Sequence, residues 1–274
     1  MRHLFAIIVV CTAVSGGVAV ADPTNARPAP VSGTSLQDAL SGILTGGPGI
    51  DVASGQDGTA RFTATASGGS LFTLMFERSA FPDGNVFGVY DVADPTNRAP
   101  IFGGPEGPAV IKLVTFGPTG EIGVNFATAG LGFSSPANVG FYLDVFGAPA
   151  GAGGDGVSST LDYTYFTEDS LNTLAAPGGE AQALVFRGDG ATQLQIPPYA
   201  GGTFGDDQFI IAFDDGMPGL GAKDFDDFVV IVESVLPVPE PATGLLAGLG
   251  AAMLVLRRRR PRRNDGPSAR RPTS

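Results

Sequence analysis

Histidine, cysteine and tryptophan are almost missing from these 274 residues: there is one His, one Cys and no Trp. His3 and Cys11 both fall in an N-terminal segment that reads as a removable leader, so the remaining chain has neither imidazole nor thiol. This excludes Ser-His-Asp and Cys-His catalysis, histidine-based zinc sites, disulfides and thiolate chemistry in the body. Lysine is nearly absent too, with only Lys112 and Lys223. What remains for chemistry is carboxylates and hydroxyls. A glycosidase working through two carboxylates is the enzyme class that survives. The adjacent pair Glu168-Asp169 is the first to ask about, but neighbours on a strand point to opposite faces, and a polar turn is the simpler reading. The body is therefore expected not to be an enzyme, with a carboxylate-dependent carbohydrate-active enzyme as the alternative. A glycan- or ice-binding module is a further alternative; it lacks regular Thr arrays, and its stacking platform would have to come from Tyr or Phe.

Basic residues are missing from the body and concentrated at its end. Between Asp22 and Pro241 there are 26 Asp and Glu against 7 Lys and Arg, a net charge of −19, whereas the whole chain carries −11. Such a body does not bind nucleic acid, which needs basic surface for phosphates. It also does not adhere directly to acidic polysaccharide, although bridging cations would allow contact.

Two terminal segments read as addresses. Met1-Arg2-His3, the apolar run Leu4 to Val14 and the A-x-A site Ala19-Val20-Ala21 form a signal peptide over residues 1–21, recognised by the secretion translocon and signal peptidase. A Pro-rich arm, 22–33, follows. At the other end stand Pro239-Glu240-Pro241, an uncharged run from Ala242 to Leu256, and Arg257, Arg258, Arg259, Arg260, Arg262 and Arg263. The 15-residue run spans about 22 Å as a helix, short of a ~30 Å hydrocarbon core. Arginine stems reaching toward the interface make the short transmembrane helix tolerable, and the arginine block places that flank in the cytoplasm. The 264–274 tail is then cytoplasmic and the body lies outside.

Triplet, span and arginines in this order resemble the PEP-CTERM sorting signal, here 237–263. The resemblance implies a membrane-embedded exosortase that recognises the signal and cleaves near the triplet, releasing a protein to the cell surface or exopolysaccharide matrix. An ordinary single-span anchor is the plainer reading.

Between the signals, 34–236 reads as one exported domain, long enough for a single core. Thr34-Ser35-Leu36-Gln37 has capping-box form, with Leu36, Leu40, Ile43 and Leu44 on one helical face and Gly46-Gly47 as the stop. After Ile50 the period changes. Short Val-, Ile-, Phe-, Tyr- and Thr-rich runs cover 61–65, 71–76, 86–92, 110–116, 121–126, 139–146, 161–166, 183–186, 208–213 and 228–235, separated by Gly, Pro, Asp and Asn. The fold class is mainly β, a single β-sandwich or jelly-roll-like domain with one short N-terminal helix. Asp94-Pro95-Thr96-Asn97 reads as turn formers, and 149–156 as a flexible loop.

One constellation could hold an ion: Asp214, Asp215, Asp224, Asp226 and Asp227, bracketed by the runs 208–213 and 228–235. Carboxylates ~4 Å apart repel by about 1 kcal/mol in water and about 4 at an effective dielectric of 20. All-oxygen ligation would suit Ca²⁺ in the range of extracellular modules. Equally, these are solvated turn carboxylates, with Asp226 accepting backbone N–H groups. Phe213-Asp214-Asp215 and Lys223-Asp224-Phe225 with Asp227 resemble the closing motif of an uncharacterised exported domain family, with Ala222 in place of its first Asp and Asp226 in place of its Asn. Residues 165–172 and 186–190 resemble upstream parts of such proteins. The family implies a β fold and an acidic end, and no activity. The expected protein is a surface or matrix module, held in the membrane only until processing, with a calcium-binding acidic loop.

Overall fold

The computed structural model describes residues 35–238 except 66–68, 80–83, 105, 136–137, 149–159, 175–179 and 217–222. The signal peptide, the 22–33 arm, the 149–156 loop, Ala222, the Pro239-Glu240-Pro241 triplet, the apolar run and the arginine block lie outside the described residues. Among those described, no helix is long and apolar enough to cross a membrane.

The described residues open with α1 (Ser35–Ile43), and sixteen strands follow among them: β1 (Leu44–Gly46), β2 (Phe62–Ala64), β3 (Ser70–Glu77), β4 (Asn85–Asp91), β5 (Asp94–Gly103), β6 (Ile111–Phe116), β7 (Ile122–Val124), β8 (Ala127–Gly130), β9 (Val139–Phe146), β10 (Leu161–Phe166), β11 (Ala183–Arg187), β12 (Gln193–Leu194), β13 (Gly202–Thr203), β14 (Gln208–Phe213), β15 (Phe228–Glu233) and β16 (Val235–Pro237). They form open sheets, so the body is mainly β. A seven-stranded sheet runs β11-β14-β15-β3-β6-β7-β8; a six-stranded one runs β16-β2-β9-β4-β5, with β10 also on β9; and β1-β12-β13 form a small third sheet.

The two larger sheets share one interior. Phe62, Phe87, Phe141 and Leu143 from the six-stranded sheet meet Phe72, Phe209, Phe213, Phe228 and Val230 from the other, all at most 1 % exposed. Phe87 stacks on Phe141 at 5.7 Å and on Phe228 at 5.9 Å, while Phe62 reaches Phe141 at 4.8 Å. Each ring buried in this way contributes about 1.5–3 kcal/mol. Alternation sends Val229 and Ile231 to the opposite face, where they join Leu36 and Leu40 of α1 with Phe204 and Phe225 in a second cluster. β15 is therefore apolar on both faces, which is why its sequence shows no alternation.

Three expectations are corrected. Asp94-Pro95-Thr96-Asn97 is not a turn but the start of β5, whose pairing with β4 begins at Asp91↔Asp94. β5 ends its sheet, and an edge is where Pro95 and Pro100 can sit without cost to a ladder. The helix stops at Ile43 rather than at Gly46-Gly47, because Leu44 and Gly46 pair with β12. Gln37 ties the next loop to α1: its amide donates to Ile50 O at 3.0 Å and its oxygen accepts from Val52 N at 2.9 Å, while its expected capping partner Thr34 lies outside the described residues. The expected run 228–235 is likewise two strands. Ser234 adopts φ 60°, and there the chain leaves the seven-stranded sheet and pairs with β2 of the other.

Candidate functional site

β14 and β15 are antiparallel partners in register Phe213↔Phe228, so the residues just beyond each strand end leave the sheet together. On one side these are Asp214 and Asp215; on the other, Asp226 and Asp227. The pairing of the strands thus gathers acids that lie a dozen residues apart in sequence. Asp224 is brought in by Phe225, whose φ of 57° turns the backbone sharply while its fully buried ring anchors the loop in the outer cluster. A bulky residue in this region carries a conformational cost of order 1–3 kcal/mol that the surrounding packing offsets.

Three of the five acids converge. Asp214, Asp224 and Asp227 each offer a carboxylate oxygen, all within 4.8 Å of one another. Ligands at 2.3–2.6 Å from one Ca²⁺ lie at most about 5 Å apart, so all three could touch a single ion. The other two adjoin the three and have further partners of their own. Asp215 accepts from Ser79 Oγ and from Asn85 Nδ2, the latter at 3.0 Å, at the rim of the interior. Asp226 lies 3.5 Å from Arg78 Nη1. Asp214, Asp215 and Asp226 are only 3–4 % exposed, so the picture of solvated turn carboxylates does not describe them. Backbone N–H groups do bind here, but at other acids than Asp226: Gly216 N and Asp224 N donate to Asp214 at 2.9 and 3.0 Å, and Asp215 N to Asp227 at 2.8 Å.

Crowding and burial act in one direction on these groups. Burial, with the charge of Asp224 next, pushes Asp214 up to about 6 against the backbone donors and Lys223. Burial and then Asp215 push Asp227 up to about 9. Asp224 is raised by burial and by Asp226. Lys223 is itself engaged, donating to Ala181 O at 2.6 Å and to Glu180 at 2.8 Å.

Neutral polar groups flank the acidic end, and sequence reading missed them. The oxygen of the Asn85 carboxamide, whose nitrogen binds Asp215, is buried with no hydrogen-bond partner. Gln182 lies across from Asp214, its carbonyl accepting from Asp214 N at 3.0 Å; both polar atoms of its side chain are buried and unpartnered. Tyr165 OH donates to Gly216 O at 2.9 Å and closes the inner side. Only pairing, not spacing, could have found Asn85 and Gln182, since they come from β4 and from the lead-in to β11. The Glu168-Asp169 pair forms no carboxylate dyad: Glu168 binds Arg61 at 2.6 Å, and Asp169 opens a single turn of 3₁₀ helix.

Residues 237–260 match the PEP-CTERM protein-sorting motif. The motif supports export and membrane-anchored processing by an exosortase at the cell envelope. No curated protein and no solved structure matches the chain.

Proposed function

We propose that this chain is a cell-surface or exopolysaccharide-matrix protein, released after exosortase processing, whose non-enzymatic body serves as a structural or binding module with Ca²⁺ at its acidic end. We read the two open sheets and their shared interior as a β-sandwich. The sorting motif at 237–260 carries the cellular part of the reading. The molecular part rests on the convergence of Asp214, Asp224 and Asp227 within 4.8 Å. Three carboxylates crowded together, one buried and two half-buried, repel one another without a compensating cation. Ca²⁺ supplies the missing charge, and the spare oxygens of Asn85 and Gln182 are ligands of the kind it accepts. An open position on the ion could in turn hold an acidic polysaccharide that the anionic body would otherwise repel.

Thermal unfolding of the full chain in chelator and across a millimolar Ca²⁺ titration, with Mg²⁺ as control, tests the molecular part. A Ca²⁺-selective rise in midpoint is expected; no rise, or an equal one with Mg²⁺, refutes the site. The cellular part is tested by replacing Pro239-Glu240-Pro241 with alanines. Uncleaved protein should then accumulate in the membrane fraction, and unchanged processing would overturn the reading.

A further inference from the structure

Away from the acidic end, a cavity of about 180 Å³ lies between the outer face of the seven-stranded sheet and the 194–204 segment. Its sheet wall is set by register. Thr73 stands opposite Ile231 on one side and Ile111 on the other, so the three side chains share a face. Glu233 follows Ile231 by two residues on that face, opposite Gln208. The other wall holds Ile196 and Tyr199. Tyr199 is strapped in place by its hydroxyl, which donates to Ala109 O at 2.8 Å, and its ring remains 42 % exposed.

Two polar groups face this cavity. Thr73 is only 6 % exposed, yet no described residue hydrogen-bonds its hydroxyl. Its oxygen is not a sealed, unsatisfied atom: it opens onto the cavity, where the hydroxyl can donate to or accept from a ligand. Glu233 is half-buried; burial and the neighbouring Asp207 raise its pKa against a hydrogen bond from the Gln208 side chain. No cation lines the cavity to relieve it. A cavity-facing hydroxyl and a carboxylate–carboxamide pair beside a fixed aromatic ring suit a ligand with hydroxyl groups on one side and C–H groups on the other.

We propose that this cavity binds a neutral sugar unit of a polysaccharide, its C–H face against Tyr199 and Ile111 and its hydroxyls on Thr73, Gln208 and Glu233. The carboxylate accepts hydroxyl hydrogens and repels uronates, so the selectivity is for uncharged glycans. The inference rests on the surface or matrix reading above but uses a different part of the molecule. If the Ca²⁺-selective midpoint rise stands while no glycan binds, this inference falls alone.

The test is binding of the full chain, in a detergent without a sugar headgroup, to dextran, laminarin, cellulose and galactomannan, with polygalacturonate and chitosan as charged comparisons. One neutral glycan is expected to bind. Thr73→Val should weaken that binding about tenfold, the equivalent of one hydrogen bond, while leaving the unfolding midpoint unchanged or higher. Tyr199→Ala should weaken it by a similar factor. A merely structural threonine would move the midpoint and not the affinity. Failure of all four neutral glycans to bind, preference for a charged one, or wild-type affinity in both variants would overturn the proposal.

Discussion

Two groups of buried acids in this protein are balanced in opposite ways. On the outer face of the six-stranded sheet, Asp144 meets Arg98 at 2.5 Å and Thr164 at 2.5 Å, and Glu168 meets Arg61 at 2.6 Å. Arg98 lies over the Tyr142 ring at 5.1 Å, and Tyr90 OH reaches Glu168 at 3.4 Å. The tyrosines fit because each stands opposite a glycine, Gly88↔Tyr142 and Tyr90↔Gly140, and a Cβ on either glycine would come within 2.6 Å of the ring. At the acidic end the cations act less directly: Arg78 reaches Asp226 at 3.5 Å and Lys223 acts on Asp214 only through its charge, while Asp214 and Asp227 are held by backbone N–H groups. Burial raises Asp144 as it raises Asp214; Thr164 and Arg98 oppose the rise in the first case, and backbone donors with Lys223 oppose it in the second. The first group carries its own counter-ions. The second sets three convergent carboxylates against the partial opposition of Lys223, and that is the physical case for the proposed ion.

The sharpest break of this contrast is Arg98→Ala. It leaves Asp144, 8 % exposed, without its cation, and the expected loss is about 3 kcal/mol in chemical denaturation. Added Ca²⁺ should not restore it, because a single monodentate carboxylate does not make a calcium site. At the acidic end the second-largest effect is expected, and it has the reverse dependence. With Ca²⁺ at a hundred times its dissociation constant, the gain is about 2.7 kcal/mol, or roughly 5–11 °C in midpoint for a domain of this size. If Arg98→Ala proved as calcium-responsive as the acidic end, the two groups would not differ in the way described.

The sequence made the interior legible because strands such as 139–146, 161–166 and 208–213 carry enough β-branched and aromatic residues to mark their own ends. β5 was hidden by its prolines, which only its edge position permits. The two-residue strands β12 and β13 are shorter than any periodicity can show. At the acidic end, the five aspartates were readable, since two strands flanking a loop bring their ends together. Which three converge was not, because that depends on Phe225 turning the backbone at φ 57°. Nor could Asn85 and Gln182 be found, both brought in by non-local contacts. The cavity beside Thr73 was equally invisible: its polar lining comes from separate strands and becomes a site only in register.

The smallest predicted effect separates crowding from mere acidity. In chelator, Asp214 near 6 and Asp227 near 9 sit above the ordinary carboxylate value of 3.8, so the folded state holds more protons than the unfolded one between about pH 4 and pH 9. Where the folded state binds more protons, stability falls as pH rises. The contribution of these groups is complete below about pH 4 and is lost as pH passes first about 6 and then about 9. Asp227→Asn keeps an oxygen for Asp215 N but removes one charge. In chelator at pH 9.5 it should raise stability by about 1 kcal/mol, the scale of one carboxylate repulsion in a wet site, and flatten the midpoint between pH 7 and 9.5. The same variant should abolish the response to Ca²⁺. Opposite signs in chelator and in calcium are what a charge-crowded cation site requires; destabilisation in both would show that Asp227 serves only as the acceptor for Asp215 N.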